Sequence, residues 1–512
     1  MEDADQQGLA HFMEHMNFNG TKNFPDNKLV DYLQSIGVRF GADLNAYTSF
    51  DQTVYMLPVP LDRPDNLKTG LKVIEDWAFN ALLTDEQIDK ERGVVLEEWR
   101  MGLGANMRMI KKLLPEVLKD SRYAERLPIG QKEILESFPY DALRRFHRDW
   151  YRPDLMAVAV VGDINVDEVE KIIKENFSKY KNPANERPRV VFDVPNHAET
   201  YFGAATDKEA RISDIDIYYM ETGAHKIVKT PADYNDEIVD NLLLTIINNR
   251  LQELADSPNP PFTYGYVQHG SFMGLTRTKD AFSASVVTQE GKQAEGIKVV
   301  LQEIERARQF GVTQTELERA KSEILSRMER MYNDREKTES ENYVNEYVRN
   351  FLTQEPIPGI KWEYSQYQNF LPTVTLEQVN AVIAKYIRDD NRVITMTAPE
   401  KENVKLPTES EISSLIANVQ NEQLTAYEDK VAIEQLVANL PKAGKVAVTE
   451  TDAKLGTTTW TLNNGAKVVF KKQILKTMKF CLAHAAKVAR RCKQMPIIVL
   501  RNGQCCFWTK LG

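Results

Sequence analysis

Residues 8–21 read GLAHFMEHMNFNGT, and within them His11, Glu14 and His15 form the pattern H-x-x-E-H. Apolar residues around Leu9 to Phe18 recur with a helical period, so we expect this pattern to lie on a helix. A rotation of about 100° per residue puts His15 about 40° from His11 and Glu14 about 60° to the other side. The three side chains should therefore leave one face of the helix within one turn.

Two imidazoles at this spacing can bind zinc, with nitrogen–metal bonds of about 2.0–2.1 Å. The carboxylate of Glu14 would lie beside the metal without binding it. There it could take a proton from the zinc-bound water, whose pKa the metal lowers to about 7. The alternative is an amphipathic helix with two partly exposed histidines. Against it, the segment HFMEHM places ionisable groups where the preceding Gly8-Leu9-Ala10 predicts burial.

A catalytic zinc needs a third protein ligand and an open position for water. A helix predicted to begin at Thr84 contains ERGVVLEEWR, residues 91–100. Glu91 and Glu98 are seven positions apart, hence only about 20° apart around the helix, while Glu97 points away. This phase alone does not bring Glu98 to the histidines, and on the charge pattern alone a solvated acidic helix face is the commoner explanation. The residues leave both interpretations open.

Three motifs in this order resemble the insulinase/pitrilysin family of inverted-motif zinc metallopeptidases, above all its long bacterial zinc proteases. They are residues 8–21, GADLNAYTSFDQTVYMLPVP at 41–60, and residues 91–100. The resemblance covers residues 1–472 and implies an α+β fold of two related domains. It implies that His11, His15 and Glu98 bind one Zn²⁺. It also implies that Glu14 is the general base and that Glu91 is an acidic residue that supports the ligands.

The same resemblance assigns Asn45, Ala46, Tyr47 and Thr48 to a substrate-facing edge strand. An unpaired strand edge can add an extended peptide as one more strand through main-chain hydrogen bonds. Alternatively, these residues simply pair within a sheet. Arg250 and Tyr264 superficially resemble an arginine and a tyrosine that the family takes from its second half. We therefore assign neither, and expect Arg250 to be an ordinary helix-surface residue.

Local patterns predict how the chain divides. The apolar run 155–161 predicts a buried strand, the polar segment 179–189 a linker, and Asn463-Asn464-Gly465 a hairpin turn. The predicted parts are a zinc-binding domain lacking its first strands at 1–178, a second related domain at 190–400, a helical linker at 411–442, the opening hairpin of a third domain at 443–472, and a tail at 473–512.

The tail differs in composition from the rest of the chain. Residues 473–512 contain eight Lys or Arg, no Asp or Glu, and all four cysteines. A Cys/His metal knuckle or a basic interaction tail would be the functional interpretations, but adjacent Cys505 and Cys506 with distant His484 and Cys492 match no zinc spacing. We favour out-of-frame translation, in which case the tail should not pack as part of a domain.

The whole chain carries a net charge of −9 and is 42% hydrophobic. This composition excludes a disordered chain and argues against a nucleic-acid binder, which would show a basic footprint. The apolar runs are too short to span a membrane, and MEDADQQGLA at the start does not have the pattern of a signal peptide. The absence of cysteine from residues 1–472 fits an oxidising compartment, and the family resemblance implies a periplasmic or exported protein.

Together these features predict a zinc-dependent metalloendopeptidase that hydrolyses peptide or unfolded polypeptide bound as an added β-strand. A non-catalytic peptide-binding scaffold of the same fold and an inactive fragment are the alternatives. The resemblance also implies that a C-terminal half closes the site. We therefore expect this chain alone to have weak activity or none.

Overall fold

A computed structural model describes residues 1–26, 28–39, 45–102, 104–402, 404–429 and 444–471, and the backbone of 497–501 and 504–508. The chain divides into two compact units, Met1–Asp429 and Lys430–Gly512. Helices and mixed sheets make up the first unit, which confirms the α+β class. The predicted domain boundaries within it stay predictions.

The first part of unit 1 is mainly helical, with one short hairpin of strands. Its elements are α1 Leu9–Asn19, α2 Lys28–Ser35, β1 Asn45–Thr48, β2 Thr53–Met56, α3 Pro64–Phe79, α4 Asp85–Met101, α5 Ala105–Val117, α6 Lys132–Ser137, α7 Tyr140–Trp150 and α8 Val166–Phe177. Helix α4 begins where the sequence predicts, because the Thr84 side chain accepts a hydrogen bond from the Gln87 amide and so satisfies a free helix donor.

The second part of unit 1 is a five-stranded sheet with helices packed on it. Its elements are β3 Tyr201–Asp207, β4 Ser213–Met220, α9 Pro231–Ala255, β5 Tyr264–Ser271, β6 Asp280–Thr288, α10 Gln293–Phe310, α11 Gln314–Asp334, α12 Ser340–Thr353, α13 Ile360–Phe370, α14 Leu376–Tyr386, β7 Arg392–Pro399 and α15 Glu409–Gln420. The strand order is β3-β7-β4-β6-β5. Only the β3–β7 pair is parallel.

Alternation along the central strand β4 decides which face of this sheet is buried. Ile215, Ile217 and Tyr219 are buried and belong to the core formed with α9, α10, α11 and α14. Asp214 and Asp216 lie on the opposite, half-buried face, as the two-residue period of a strand requires. The sequence missed both β3 and β4.

The prediction of a buried strand at 155–161 is wrong. This run is mostly half-buried and carries no strand assignment. A strand is held by backbone hydrogen bonds to a neighbour, and among the described residues no strand pairs with it. Instead it lies along a cleft of about 1270 Å³ that β2, α3 and α12 also line. The apolar composition of residues 155–161 is typical of a strand, but composition does not show whether a neighbouring strand is available to pair with it.

The described residues of unit 2 form two small antiparallel sheets. The first has the order β10-β9-β8 and consists of β8 Val446–Asp452, β9 Thr457–Leu462 and β10 Lys467–Phe470. The β9–β10 pair turns at 463–466, as the sequence predicted, whereas β8 was missed. Strands β11 Ile497–Arg501 and β12 Gln504–Trp508 pair with each other. The rest of the predicted out-of-frame tail lies outside the described residues, and its origin stays a prediction.

The predicted helical linker at 411–442 is correct only at its start. Helix α15 ends at Gln420, and 421–429 continue without helix. Residues 430–442 lie outside the described part of the chain. Within that part, no helix is both long and apolar enough to cross a bilayer.

Candidate metal centre

Helix α1 is held in place at its N-terminus by contact between two backbones. Gly8 precedes the helix with φ of 98°, and Gly130 faces it with φ of 78°. A Cβ added to Gly8 would lie 2.8 Å from the Cα of Gly130, so neither position has room for a side chain. The Glu2 carboxylate accepts hydrogen bonds from the amides of Gly8 (3.0 Å) and Ala10 (2.8 Å).

The buried face of α1 fixes how the helix is rotated. Leu9, Phe12, Met13 and Met16 are fully buried and pack in one core with residues of α4, α6 and α7. This packing leaves His11, Glu14 and His15 on the face that the sequence predicted.

The structure brings together His11, His15 and Glu98. One ligand atom from each residue can be chosen so that all three lie within 4.8 Å of one another. Glu98 Oε1 is 3.5 Å from His11 Nε2, and Glu98 Oε2 is 3.0 Å from His15 Nε2. Tetrahedral zinc with bonds of about 2.1 Å separates its ligand atoms by about 3.4 Å. Two imidazole nitrogens and one carboxylate in this arrangement therefore fit a catalytic zinc site.

One side of this cluster is open. The side chain of Glu98 is 45% exposed, whereas those of His11 and His15 are 12% and 21% exposed. Hydrogen bonds from His11 hold the pKa of Glu98 below its usual value, so this carboxylate is charged at neutral pH. A metal held here would keep a coordination position that faces water.

Glu91 supports His15 from the other side of its ring. His15 Nδ1 lies 2.8 Å from Glu91 Oε1. When Nδ1 carries the proton and donates a hydrogen bond to this carboxylate, the unprotonated Nε2 is free to bind a metal. Burial opposes the charged form of His15, but the hydrogen bond to Glu91 and the charges of Glu91, Glu98 and Glu14 raise its pKa overall.

Asn19 is a supporting residue that the sequence reasoning missed. Its Nδ2 donates to Glu91 Oε2. Burial works against the charged form of Glu91, yet the hydrogen bonds from His15 and Asn19 lower its pKa. The sequence did contain an indication of this role. Asn19 follows His15 by the same four positions that separate His15 from His11, which places all three on one face of the helix.

Glu14 lies beside the cluster without being one of its three members. Its carboxylate is buried, with 9% of the residue exposed. The Thr48 hydroxyl donates to Glu14 Oε2 at 2.6 Å and lies 3.1 Å from the Thr53 hydroxyl. Thr53 is a second residue that the sequence reasoning missed, although it is paired with Thr48 across the hairpin.

Residues Asn45–Thr48 form strand β1, which pairs antiparallel with β2. Among the described residues these two strands make a sheet of their own, so the second edge of β1 has no strand beside it there. Residues 40–44, which precede this strand, lie outside the described residues. The role of β1 in substrate binding stays a prediction.

Arg250 is not a helix-surface residue, and that prediction is wrong. It is 2% exposed and forms two hydrogen bonds with Glu316, of 2.6 Å from Nε and 2.8 Å from Nη2. Its position on α9 gave no sign of this partner, which lies 66 residues further along the chain. Tyr264 is exposed on β5.

Comparison with known proteins identifies the family. Residues 1–126 match the sequence model described as Insulinase (Peptidase family M16), and residues 137–324 match the Peptidase M16 inactive domain. The chain is 30% identical over 474 residues to an Arabidopsis thaliana protein named "Zinc protease PQQL-like", covering 92% of this chain and 46% of the relative. It thus spans about half the length of that relative.

Two solved structures from Escherichia coli are similar, each at 25% identity. The periplasmic protease PqqL superposes with a TM-score of 0.76 over 94% of this chain and 52% of its own. The first half of PqqL superposes with a TM-score of 0.75 over 84% of this chain and 91% of its own. The chain therefore belongs to the insulinase family, peptidase family M16, and carries its two kinds of domain in succession.

Proposed function

We propose that this chain is the metal-binding half of a zinc-dependent endopeptidase that hydrolyses peptides held as an added strand on β1. The observation that carries the proposal is the grouping of His11, His15 and Glu98 within 4.8 Å. The buried carboxylate of Glu14 lies on α1, the helix that carries the two histidines. The relatives named zinc proteases support zinc as the metal.

Each residue of the site would have a separate task. His11, His15 and Glu98 would hold one zinc ion, which when bound polarises the scissile carbonyl and acidifies a water molecule. Glu91 would keep the Nε2 of His15 turned toward the metal. Glu14 would take the proton from the attacking water and later deliver it to the leaving amine. Main-chain groups of β1 would hold the peptide extended.

Full activity should also need groups from outside this chain. Glu98 is 45% exposed, so water has free access to one side of the cluster. Donors that stabilise the tetrahedral intermediate are often the largest catalytic contribution, and the loss of one costs about 10²–10³ in rate. We propose that a second half, corresponding to the remainder of the relatives, supplies such donors and closes the site.

The same relatives also support a proposal for the cellular compartment. PqqL is described as a periplasmic protease, and residues 1–472 of this chain contain no cysteine. We propose that the protein acts in an oxidising compartment such as the periplasm.

A quenched-fluorescent peptide assay tests the proposal. Zinc-loaded chain should cleave slowly, and Glu14→Gln should retain zinc but lose cleavage, because the base is removed while the ligands remain. A scaffold protein would bind peptide without cleaving it in either form. Cleavage by Glu14→Gln at the wild-type rate would remove Glu14 from the mechanism.

A further inference from the structure

Two threonine hydroxyls in series lead across the β1–β2 hairpin to Glu14. The Thr48 hydroxyl contacts Glu14 Oε2 at 2.6 Å, and the Thr53 hydroxyl contacts that of Thr48 at 3.1 Å. The Tyr151 side chain lies near Thr53. Tyr151 and Tyr55 are joined through their hydroxyls at 2.7 Å.

Hydrogen-bonding chemistry gives this series one direction. Thr48 donates its hydroxyl hydrogen to Glu14, and each hydroxyl has a single hydrogen to donate. Thr53 must therefore be the donor in its hydrogen bond with Thr48. Consecutive bonds of this kind polarise and strengthen one another.

Strand β2, which carries Thr53, is held in place by its neighbours. The Tyr55 ring packs against the Trp77 ring with centroids 5.5 Å apart, and Trp77 is 1% exposed. The Tyr55 hydroxyl is bonded to that of Tyr151, whose ring stacks on His147 at 4.9 Å, directly after α7. The β1–β2 hairpin is therefore tied to α3 and α7 through Tyr55.

Strand geometry separates the tasks of neighbouring residues on β1. Successive side chains point to opposite faces, so Thr48 is directed at Glu14 whereas Tyr47, which is 40% exposed, is directed away from it. The Thr48 side chain is thus engaged within the protein. Among the described residues no strand lies beside the other edge of β1, so the main chain along that edge is available to a peptide.

We propose that Thr48 is a positioning residue for Glu14, held in turn by Thr53, rather than a residue whose side chain contacts substrate. The proposal rests on the proposed function in taking Glu14 as the base. It also links two steps, because the strand that receives the peptide is the strand that positions the base. A peptide that shifts β1 on docking shifts the Glu14 carboxylate with it.

Kinetics of Thr48→Val and Thr48→Ser test this role. A misplacement of about 1 Å can cost about 100-fold in rate, so we expect kcat to fall about 10–100-fold in Thr48→Val, with KM within about threefold of wild type. Thr48→Ser keeps the donor and should stay close to wild type. A raised KM with unchanged kcat, or equal loss in both variants, would overturn the proposal.

Thr395→Val is the matched control. The Thr395 hydroxyl also donates from a strand to a carboxylate, Asp216 Oδ2, at 3.3 Å. It lies on β7 in the second sheet, away from α1 and β1. This variant should leave kcat unchanged. A loss equal to that of Thr48→Val would show a general effect on stability and would overturn the positioning role.

Hydrogen exchange on zinc-free chain tests the contact without relying on activity. The Thr48–Glu14 bond ties the β1–β2 hairpin to α1, so Glu14→Ala and Thr48→Val should each speed amide exchange over residues 45–56. The double variant should exchange no faster than the faster single variant. Additive effects would overturn the proposal. An inactive wild-type chain with non-additive exchange would instead count against the proposed function alone.

Discussion

Replacing Glu98 by Gln tests the metal site most directly. The change keeps the size of the side chain and removes the charge of one proposed ligand. The carboxylate oxygens lie 3.5 Å and 3.0 Å from the two histidine nitrogens, close to the separation of about 3.4 Å that tetrahedral zinc requires. Little rearrangement is therefore needed to bind the ion, and Glu98 should contribute a full share of the affinity.

The expected change in the dissociation constant for zinc follows from typical zinc affinities. Binding free energies of about 10–16 kcal/mol, shared among four ligands, amount to about 3 kcal/mol for each. Since 1.4 kcal/mol corresponds to a factor of ten, losing the Glu98 ligand should raise the dissociation constant for zinc about 100-fold. We expect competition with a chromophoric chelator to measure this change at neutral pH.

Glu97→Gln is the control, with the same change of charge one position away. Glu97 is exposed and pairs with Arg100, whose Nε donates to it at 2.9 Å. It should leave zinc affinity unchanged, because its side chain points away from α1. Equal zinc loss in both variants, with circular dichroism showing intact folds, would refute the assignment of Glu98 as a ligand.

Two further predictions concern the second sheet of unit 1 and its helices. Glu316→Gln should destabilise the chain by about 3–5 kcal/mol, because it leaves the buried charge of Arg250 without its partner; urea unfolding measures this, and a loss below about 1 kcal/mol would contradict it. Burial and the charge of Asp216 raise the pKa of Asp214 to about 6. The folded chain then holds this proton more tightly than the unfolded chain, so stability should fall as pH rises from about 4 to about 6, by roughly 1 kcal/mol after solvent screening. Asp214→Asn should flatten this part of the stability curve, and an unchanged slope would contradict the assignment.

Much of the site could be predicted because its geometry is local. Helical phase alone placed His11, Glu14 and His15 on one face, and their contacts agree with it. Glu98 needed more than phase, because the residue that it meets lies 83 positions earlier in the chain. The family resemblance supplied that pairing, and the structure shows the two side chains 3.0 Å apart.

The errors share a physical cause, which is dependence on distant partners. The run 155–161 has the composition of a strand, but composition does not provide the neighbour that a strand needs. From the sequence Arg250 was expected at the surface, but in the structure it is buried and hydrogen-bonded to Glu316, which lies on another helix. The hydrogen bond from the Thr48 hydroxyl to Glu14 was likewise not predicted, while the role of its strand in substrate binding stays a prediction.

The contact between Gly8 and Gly130 has a mechanical consequence for the metal site. Side chains can change rotamer within nanoseconds, but two backbones that touch have no such freedom. A Cβ at Gly130 would come within 2.4 Å of the Cα of Gly8, so even an alanine there would push the start of α1 away. Because α1 carries both histidines, this displacement would move them together relative to Glu98 on α4. The precision of the site thus depends on a point of support where the protein has no side chain at all.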